Sequence, residues 1–506
     1  MIDRIRKYRA YLLGAACLIL SLLIFIGQRP DQPLRMLSCS EQYYLAQQVA
    51  AGGDLYREFA WNKTPLSIYI SSWCFGLSKG DLAPAVVWVR FIYWAIFLAG
   101  AWPLWGLGRI LFAKDWLAAL GVMLYICFPF VLHHLAGEPD WHVPMISLGL
   151  YAVYFNARAR YFLAGLCAGL AFMSWQPGAV YLILIVACIV LEEGNRAKFL
   201  GRAFIGFALP VFLFAVYFLS RGTFGDFFKM AFVSVRQNIT QGFLDELRDI
   251  PRYASYCYSV YQPVSILSMV GLFMHLISLL RTKAEIVSRK AEKGVGLAAV
   301  LTVGYSMVDF QHCDDFLAFM PWIALYAVYP LKELLRIRHK LSARLTGGIV
   351  FILLFVSAAR SFGHPWPVVQ NFFRHSPYAK LRKQQSDFLN VLEGYGYKQD
   401  SQIVCLESAL PCLLTGKMNT DNKYVYLLDD YYLAYIQQHE LEAREVFFEA
   451  IKRREADFVF LMHDTLERRG YHETTQQLES ILSAGYRQNR TGRLEFWIPQ
   501  KNRSRY

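Results

Sequence analysis

Charged residues are scarce in this chain of 506 residues, because Asp, Glu, Lys and Arg make up only 18% of it whereas hydrophobic residues make up 55%. Soluble globular domains carry nearer 25% charged residues, so this composition excludes an ordinary soluble domain of this length. The apolar residues gather in repeated long runs, as bilayer-spanning helices require. The composition therefore predicts a polytopic membrane protein.

The formal charge of +13 is the one feature that suggests a nucleic-acid partner. The basic residues, however, fall in short loops between the apolar runs. An excess of Lys and Arg on the cytoplasmic side of membrane proteins accounts for that pattern. We therefore expect the lipid bilayer, and no nucleic acid, as the partner of this charge.

Several functional signatures are missing. The ten cysteines lack metal-ligand spacing, and the chain has no internal repeat and no Gly-rich phosphate loop. No small-x-small cleavage site follows the first apolar run, which indicates a retained helix instead of a signal peptide. Cys405 and Cys412 can pair if their domain faces an oxidising compartment.

Eleven apolar spans are predicted, and several are short for a bilayer about 30 Å thick. They lie at 11–27, 84–107, 116–136, 143–157, 161–174, 177–191, 203–219, 263–281, 295–309, 316–331 and 345–362. Lys and Arg concentrate in alternate loops, so the positive-inside rule predicts a cytoplasmic N-terminus and an outer C-terminus. Short loops favour the bacterial inner membrane, with a periplasmic C-terminus. Residues 1–362 then form the membrane domain, with outer loops at 28–83, 137–142 and 220–262.

Residues 363–506 differ in composition and predict a small α/β domain on the outer surface. Apolar runs at 402–408, 423–428 and 457–462 are typical of strands, and Glu440 to Arg454 is typical of a helix. The predicted fold class is an α-helical polytopic membrane protein with a C-terminal α/β extramembrane domain.

The segment from Ser40 to Ile70 in the first outer loop carries the densest set of polar and aromatic residues. Glu41 to Ala51 mixes apolar residues with Gln and predicts a helix lying in the membrane interface, and Pro65 to Leu77 predicts a second. We interpret the segment as the membrane-surface edge of a site for a lipid-borne, anionic substrate.

Carboxylates on the predicted outer side are the first candidates for catalysis, since ionisable groups at membrane level are costly. Glu41 is either a helix cap or a catalyst, and Ser40 beside it is the better cap, which favours catalysis. Glu138 and Asp140 belong either to a capped loop or to the site. A third group of candidates is Asp309, Asp314 and Asp315, of which Asp314 and Asp315 are better explained by capping and solvation.

Two cations are candidates for binding a phosphate, since Lys offers a point charge and Arg grips two oxygens. Lys63 lies at the base of the first loop, and Arg90 lies inside an apolar helix, where it either contacts substrate or extends to the headgroups. His133, His134 and His142 flank Glu138 without the HxxxH spacing of a metal site. No cofactor is assigned, and dependence on a divalent metal stays open.

The first loop resembles that of the large membrane glycosyltransferase family of the GT-C type, which uses polyprenyl-phosphate sugars. This family includes the protein O-mannosyltransferases and the lipid A aminoarabinose transferases. The resemblance rests on residues in register, namely Glu41, Tyr44, Gly53, Tyr56, Arg57, Lys63, Pro65, Leu66 and Tyr69. It continues through Arg90, Glu138 and residues 163–182. It implies an inverting sugar transfer from a polyprenyl-phosphate donor to a lipid, glycan or protein acceptor on the outer face.

The resemblance also implies roles for individual residues. Glu41 takes the proton of the acceptor hydroxyl, while Glu138 or Asp140 orients the acceptor or holds a divalent ion. Lys63 and Arg90 bind the donor phosphate, and four residues line the substrate pocket, namely Tyr43, Tyr44, Tyr56 and Gln176. Three departures from the pattern occur: Ser40 stands where the family has Asp, Trp175 where it has Lys, and Asp314 with Asp315 where it has His-Tyr.

Two other function classes stay open at this stage. A transporter or flippase of lipid-linked sugars would explain the acidic residues as sites for a coupling ion. Such proteins, however, usually have repeated halves and charges in mid-helix. A non-catalytic partner in glycan assembly would explain Ser40.

Overall fold

The structure is a computed structural model of the chain. It describes residues 40–127, 139–191, 195–233, 262–281, 287–306, 317–336, 378–405 and 409–417, with shorter, interrupted stretches within 12–26, 32–34, 345–356, 457–462 and 480–499. Several sequence predictions lie outside these residues: the strand at 423–428, the helix at 440–454, Glu138, His133, His134, Asp309, Asp314 and Asp315.

Helices dominate the described membrane region. In chain order they are α1 (Gly14–Leu23), α2 (Ser40–Ala50), α3 (Leu66–Leu77), α4 (Leu82–Phe112), α5 (Asp115–Ile126), α6 (His142–Ala157), α7 (Tyr161–Ser174), α8 (Val180–Val190), α9 (Arg196–Ser220), α10 (Phe224–Phe228), α11 (Gln262–Arg281), α12 (Val287–Ser306) and α13 (Met320–Arg336). A 3₁₀ turn (Gln176–Ala179) precedes α8, and a π-helical turn (Lys229–Val233) follows α10.

Three of the described helices, α4, α9 and α11, are long and apolar enough to cross a membrane. Others, such as α5 and α7, are apolar but shorter. Helices occupy the described part of each predicted span between 84 and 331, as the hydrophobic pattern indicates. The count of eleven spans stays a prediction.

The helices α2 and α3 differ from the interfacial helices that the sequence predicts. Four consecutive residues of α2, Tyr43 to Ala46, are fully buried, because α3 packs on this helix. In α3, Trp73 is 62% exposed, as expected of an anchor, whereas Phe75 is buried. The first loop is therefore folded into the protein instead of lying flat on the membrane.

Glycine permits a close helix crossing between α7 and α9. A Cβ atom at Gly165 would clash with the carbonyl oxygen of Ala203, and a Cβ atom at Gly206 would clash with the carbonyl oxygen of Phe162. Small residues let two backbones approach in this way in membrane proteins, where packing drives helix association.

The C-terminal region contains α14 (Ala379–Gly394), α15 (Leu410–Thr415) and a four-stranded sheet. Its strands are β1 (Ile403–Cys405), β2 (Phe458–Met462), β3 (Tyr486–Thr491) and β4 (Leu494–Pro499), in the order β1-β2-β4-β3, with β1 and β2 parallel and the other pairs antiparallel. The predicted strands at β1 and β2 are confirmed, as is the Cys405–Cys412 pair, which forms a disulfide between β1 and α15.

This α/β region docks on the first outer loop. The side-chain amide of Gln384 donates to Leu34 O and accepts from Leu34 N, both at 2.8 Å. Arg382 pairs with Asp81 at 3.1 Å, and α15 packs on α2. The C-terminal region and the first loop therefore lie on the same side of the membrane domain. The domain boundary at 362 falls outside the described residues and stays a prediction.

Candidate active site

Lys63 lies at the point where three predicted outer loops meet. Its ammonium nitrogen is 3.7 Å from the ring centre of Trp141 and 5.0 Å from that of Trp61, and it donates to Asn62 Oδ1 at 3.3 Å. The two indole rings meet edge to face, with centres 5.8 Å apart. A cation within about 6 Å of an indole face is attracted by the ring electrons. The aromatic pair therefore fixes the position of a positive charge at the meeting point of the loops.

Hydrogen bonds hold the backbone on both sides of this charge. Tyr56 donates its hydroxyl to Lys63 O at 2.7 Å, and burial raises the pKa of this phenol well above its ordinary value, so it remains a donor. Gln176 donates its amide nitrogen to Asn62 O at 2.9 Å and to Ala231 O at 2.6 Å. Thr64 donates to Phe172 O at 2.8 Å. Side chains and loops distant in sequence thus order the Lys63 segment.

Tyr56 reaches Lys63 from an uncommon backbone conformation. Its φ is 75°, and its N–H donates to Phe59 O at 2.8 Å in a tight turn. A non-glycine residue in this left-handed region costs about 1–3 kcal/mol and persists only where the surroundings enforce it. The enforcing contacts are the rings of Phe218 and Phe227, which pack edge-on against the buried Tyr56 ring at 5.3 and 5.1 Å.

Asp140 and His142 form a buried pair beside the Lys63 cluster. They are 5% and 2% exposed. Asp140 Oδ1 accepts from the backbone N–H of His142 at 2.8 Å and lies 2.6 Å from its Nδ1. The imidazole packs on Trp175 at 4.3 Å and on Trp141 at 5.7 Å between ring centres. The sequence predicts Asp140 as a site residue, whereas it assigns His142 only to a metal alternative.

Glu41 lies in the first turn of α2 and is half-buried. Tyr44, one turn further on the same face, packs edge-on against Phe59 at 6.2 Å, so α2 is joined to the turn that carries Tyr56. Tyr43 and Tyr44 are fully buried in the protein interior. The Ser40 hydroxyl is buried without a hydrogen-bond partner among the described residues, so the expected cap hydrogen bond does not form.

Arg90 is only 1% exposed and donates to Gln32 O at 2.7 Å. Its side chain is therefore enclosed by protein and tied to the start of the first loop. The alternative in which Arg90 extends to the lipid headgroups is wrong.

Ion pairs join the first loop to the third predicted outer loop, a feature that the sequence did not indicate. Arg221 Nε donates to Asp54 Oδ1 at 2.8 Å. Arg57 pairs with Asp226 at 3.6 Å and donates to the carbonyl of Gly222. Both pairs are partly exposed, so water screens them and they contribute little to stability.

No group of three or more potential metal ligands occurs among the residues that the structure describes. The Asp140 carboxylate is engaged with His142, and neither Glu138 nor the two neighbouring histidines are among the described residues.

Comparison with solved structures gives the fold. The chain is similar to ArnT from Cupriavidus metallidurans bound to undecaprenyl phosphate, with a TM-score of 0.60, 11% identity, and coverage of 96% of this chain and 98% of that one. The apo form of that protein gives a TM-score of 0.61 at 11% identity, covering 96% and 97% of the two chains.

An oligosaccharyltransferase from Archaeoglobus fulgidus, in complex with zinc and sulfate, gives a TM-score of 0.51 at 12% identity, covering 88% of this chain and 68% of that one. The chain has the GT-C fold of membrane glycosyltransferases. Together with this fold, the apolar helices support an integral membrane protein. No family model and no curated protein matches the sequence.

Proposed function

We propose that this protein is a glycosyltransferase that moves a sugar from a polyprenyl-phosphate donor to an acceptor at the outer membrane surface, with inversion at the anomeric carbon. The observation that carries the proposal is the Lys63 ammonium, held against Trp141 where three loops meet. The GT-C fold supports it, because ArnT is a relative in fold whose structure contains undecaprenyl phosphate. The acceptor is a lipid, a glycan or a protein, and the archaeal oligosaccharyltransferase structure with a tethered acceptor peptide supports an acceptor of this general kind.

Lys63 neutralises the phosphate as it leaves. Charge develops on that group in the transition state, and a positive group already in position stabilises it without reorganisation. The hydrogen bonds from Tyr56 and Gln176 supply this preorganisation. Arg90 is the second phosphate candidate, but its bond to Gln32 supports a role in holding the first loop.

Glu41 accepts the proton of the acceptor hydroxyl. The hydroxyl oxygen bonds to the anomeric carbon, the bond from that carbon to the phosphate oxygen breaks, and its electron pair leaves with the phosphate. Glu138 orients the acceptor in this proposal. Asp140 contributes through His142, to which its carboxylate is bonded.

The donor requires the outer surface of the bacterial inner membrane, with the N-terminus cytoplasmic and the C-terminal α/β domain periplasmic. The archaeal oligosaccharyltransferase structure contains zinc, so dependence on a divalent metal is part of the test. Measuring activity with and without EDTA decides whether transfer requires such an ion.

Purified protein with a radiolabelled polyprenyl-phosphate sugar and acceptor tests the proposal through release of free lipid phosphate. We expect Glu41→Gln to abolish release while membrane insertion is unchanged. The matched control is Glu58→Gln, an exposed carboxylate of the same loop, which should retain activity. Normal release by the Glu41→Gln protein would exclude Glu41 as the base. A flippase or non-catalytic partner would release no lipid phosphate even as the unaltered protein.

A further inference from the structure

One side chain of the C-terminal region, Gln384 of α14, holds the chain that leads into α2. Its amide accepts from Leu34 N and donates to Leu34 O, both at 2.8 Å, and Leu34 is only 6% exposed. Residues 32–34 form no helix or strand, so a buried backbone here depends on side chains for its hydrogen bonds. Gln384 therefore satisfies both backbone polar groups of Leu34 across the boundary between the two regions of the protein.

The membrane domain bonds to the same short segment. Arg90 of α4 donates to Gln32 O at 2.7 Å, two residues before the Leu34 contact. Three consecutive residues thus receive one bond from a guanidinium of α4 and two from an amide of α14. The entry to α2 is therefore fixed relative to both the membrane domain and the C-terminal region.

Helix α2 is the element that depends on this entry. Leu34 precedes Ser40, the first residue of α2, by six residues, and Glu41 lies in the first turn. A second element of the C-terminal region, α15, packs directly on α2. General-base catalysis depends on position, since a displacement of about 1 Å can lower a rate about a hundredfold. The contacts that place α2 are therefore also contacts that place the carboxylate of Glu41.

We infer that Gln384 is a positioning residue for Glu41, acting through the chain that enters α2, so that the C-terminal α/β region is part of the catalytic unit. This inference rests on the proposed function, in which Glu41 accepts the proton of the acceptor. The hydrogen bonds that order the Lys63 segment come instead from Tyr56 and Gln176. Loss of the Gln384 contact should therefore slow the removal of the acceptor proton and leave the phosphate side of the site intact.

Two measurements on the full chain test the inference: hydrogen exchange of the α2 backbone amides, and kcat for the release of lipid phosphate. Gln384→Met keeps the length of the side chain but removes both bonds to Leu34. Two neutral hydrogen bonds correspond to roughly thirtyfold in an equilibrium constant, so we expect the α2 amides to exchange up to about thirtyfold faster. We expect kcat to fall by at least about tenfold, because Glu41 is displaced from the acceptor hydroxyl. Binding of undecaprenyl phosphate should be unchanged.

Gln385→Met is the matched control, because it removes a single bond, to Leu414 O, within the C-terminal region. In that protein α15 keeps its disulfide to β1, so α2 exchange and kcat should match those of the unaltered protein. If Gln384→Met does not fold, Gln384→Asn decides in its place, because its amide is one methylene shorter and loses the geometry of both bonds.

The outcomes separate the inference from the proposed function. Unchanged α2 exchange, or faster α2 exchange with a normal kcat, overturns the positioning role. Faster exchange throughout the membrane domain together with weaker undecaprenyl phosphate binding also overturns it, because that result is a general loosening of the protein. The proposed function fails if the unaltered protein releases no lipid phosphate, a result that requires no Gln384 variant, and the positioning role then fails with it.

Discussion

Gln176 joins two loops at the Lys63 cluster through a single amide nitrogen, which donates to Asn62 O and Ala231 O. Replacing Gln176 by Met keeps the length of the side chain but removes both donors. Replacing it by Glu keeps the shape and puts a carboxylate, which only accepts hydrogen bonds, against two carbonyl oxygens. We therefore expect both substitutions to loosen the segment before Lys63, and Glu to do so more than Met.

The magnitude follows from the two bonds. Each neutral hydrogen bond contributes about 1 kcal/mol, so Gln176→Met loses about 2 kcal/mol. If this free energy serves to hold Lys63 in its position for the transition state, the rate falls roughly thirtyfold, since about 1.4 kcal/mol corresponds to a factor of ten. The rate of the Gln176→Glu protein should be lower than that of the Gln176→Met protein, because the carboxylate also repels the two carbonyl oxygens.

The assay is initial release of lipid phosphate, with thermal unfolding in detergent measured on the same samples. The matched control is Gln385→Met, which removes a single donor to Leu414 O in the C-terminal region, far in sequence from Lys63. A Gln176→Glu protein that is more active than Gln176→Met, or a Gln176→Met protein as active as the control, would refute the reasoning.

Two further predictions concern packing and oxidation. Gly165→Ala should lower the unfolding temperature markedly, because the added methyl group meets the Ala203 carbonyl. The control is Gly201→Ala, which has open space around it in α9 and should gain roughly 0.5–1 kcal/mol of helix stability. Equal stability of the two proteins would contradict the α7–α9 crossing. Replacing Cys405 and Cys412 by Ala should cost about 2 kcal/mol of stability in the α/β region through the freed short loop, seen as faster proteolysis. Cys167→Ala is the control, and ready thiol labelling of Cys405 without a reductant would contradict the pairing.

Hydrophobic patterns in the sequence were sufficient to locate the described helices of the predicted membrane spans and two strands, because burial in lipid or in a sheet core requires continuous apolar runs. They did not locate α14 or α15. They failed for β3, whose Arg487 and Gln488 are exposed and whose strand conformation comes from pairing with β4. Propensity gives little information about such an edge strand, since the partner determines it. They also failed for the packing of α2, because the sequence does not indicate that α3 packs on this helix.

The site was partly predictable for a similar reason. Lys63 stood out as a lone cation in the first outer loop, the family resemblance pointed to Tyr56 and Gln176, and the structure brings the three into one cluster. Trp141 did not stand out and His142 did so only as a metal alternative, since their contacts with Lys63 and Trp175 form across the fold. No local pattern identifies which loops become neighbours.

Trp175, one of the three departures from the family pattern, gains a physical interpretation from these contacts. An indole cannot neutralise a phosphate, so a site with Trp175 in place of Lys and with Lys63 as its cation would leave one negative charge of a departing phosphate without a partner. The Trp175 ring instead packs against His142, whose ring is bonded to Asp140. Trp175→Lys should therefore tighten the binding of undecaprenyl phosphate, and unchanged binding by the folded variant would show that the charge has another partner.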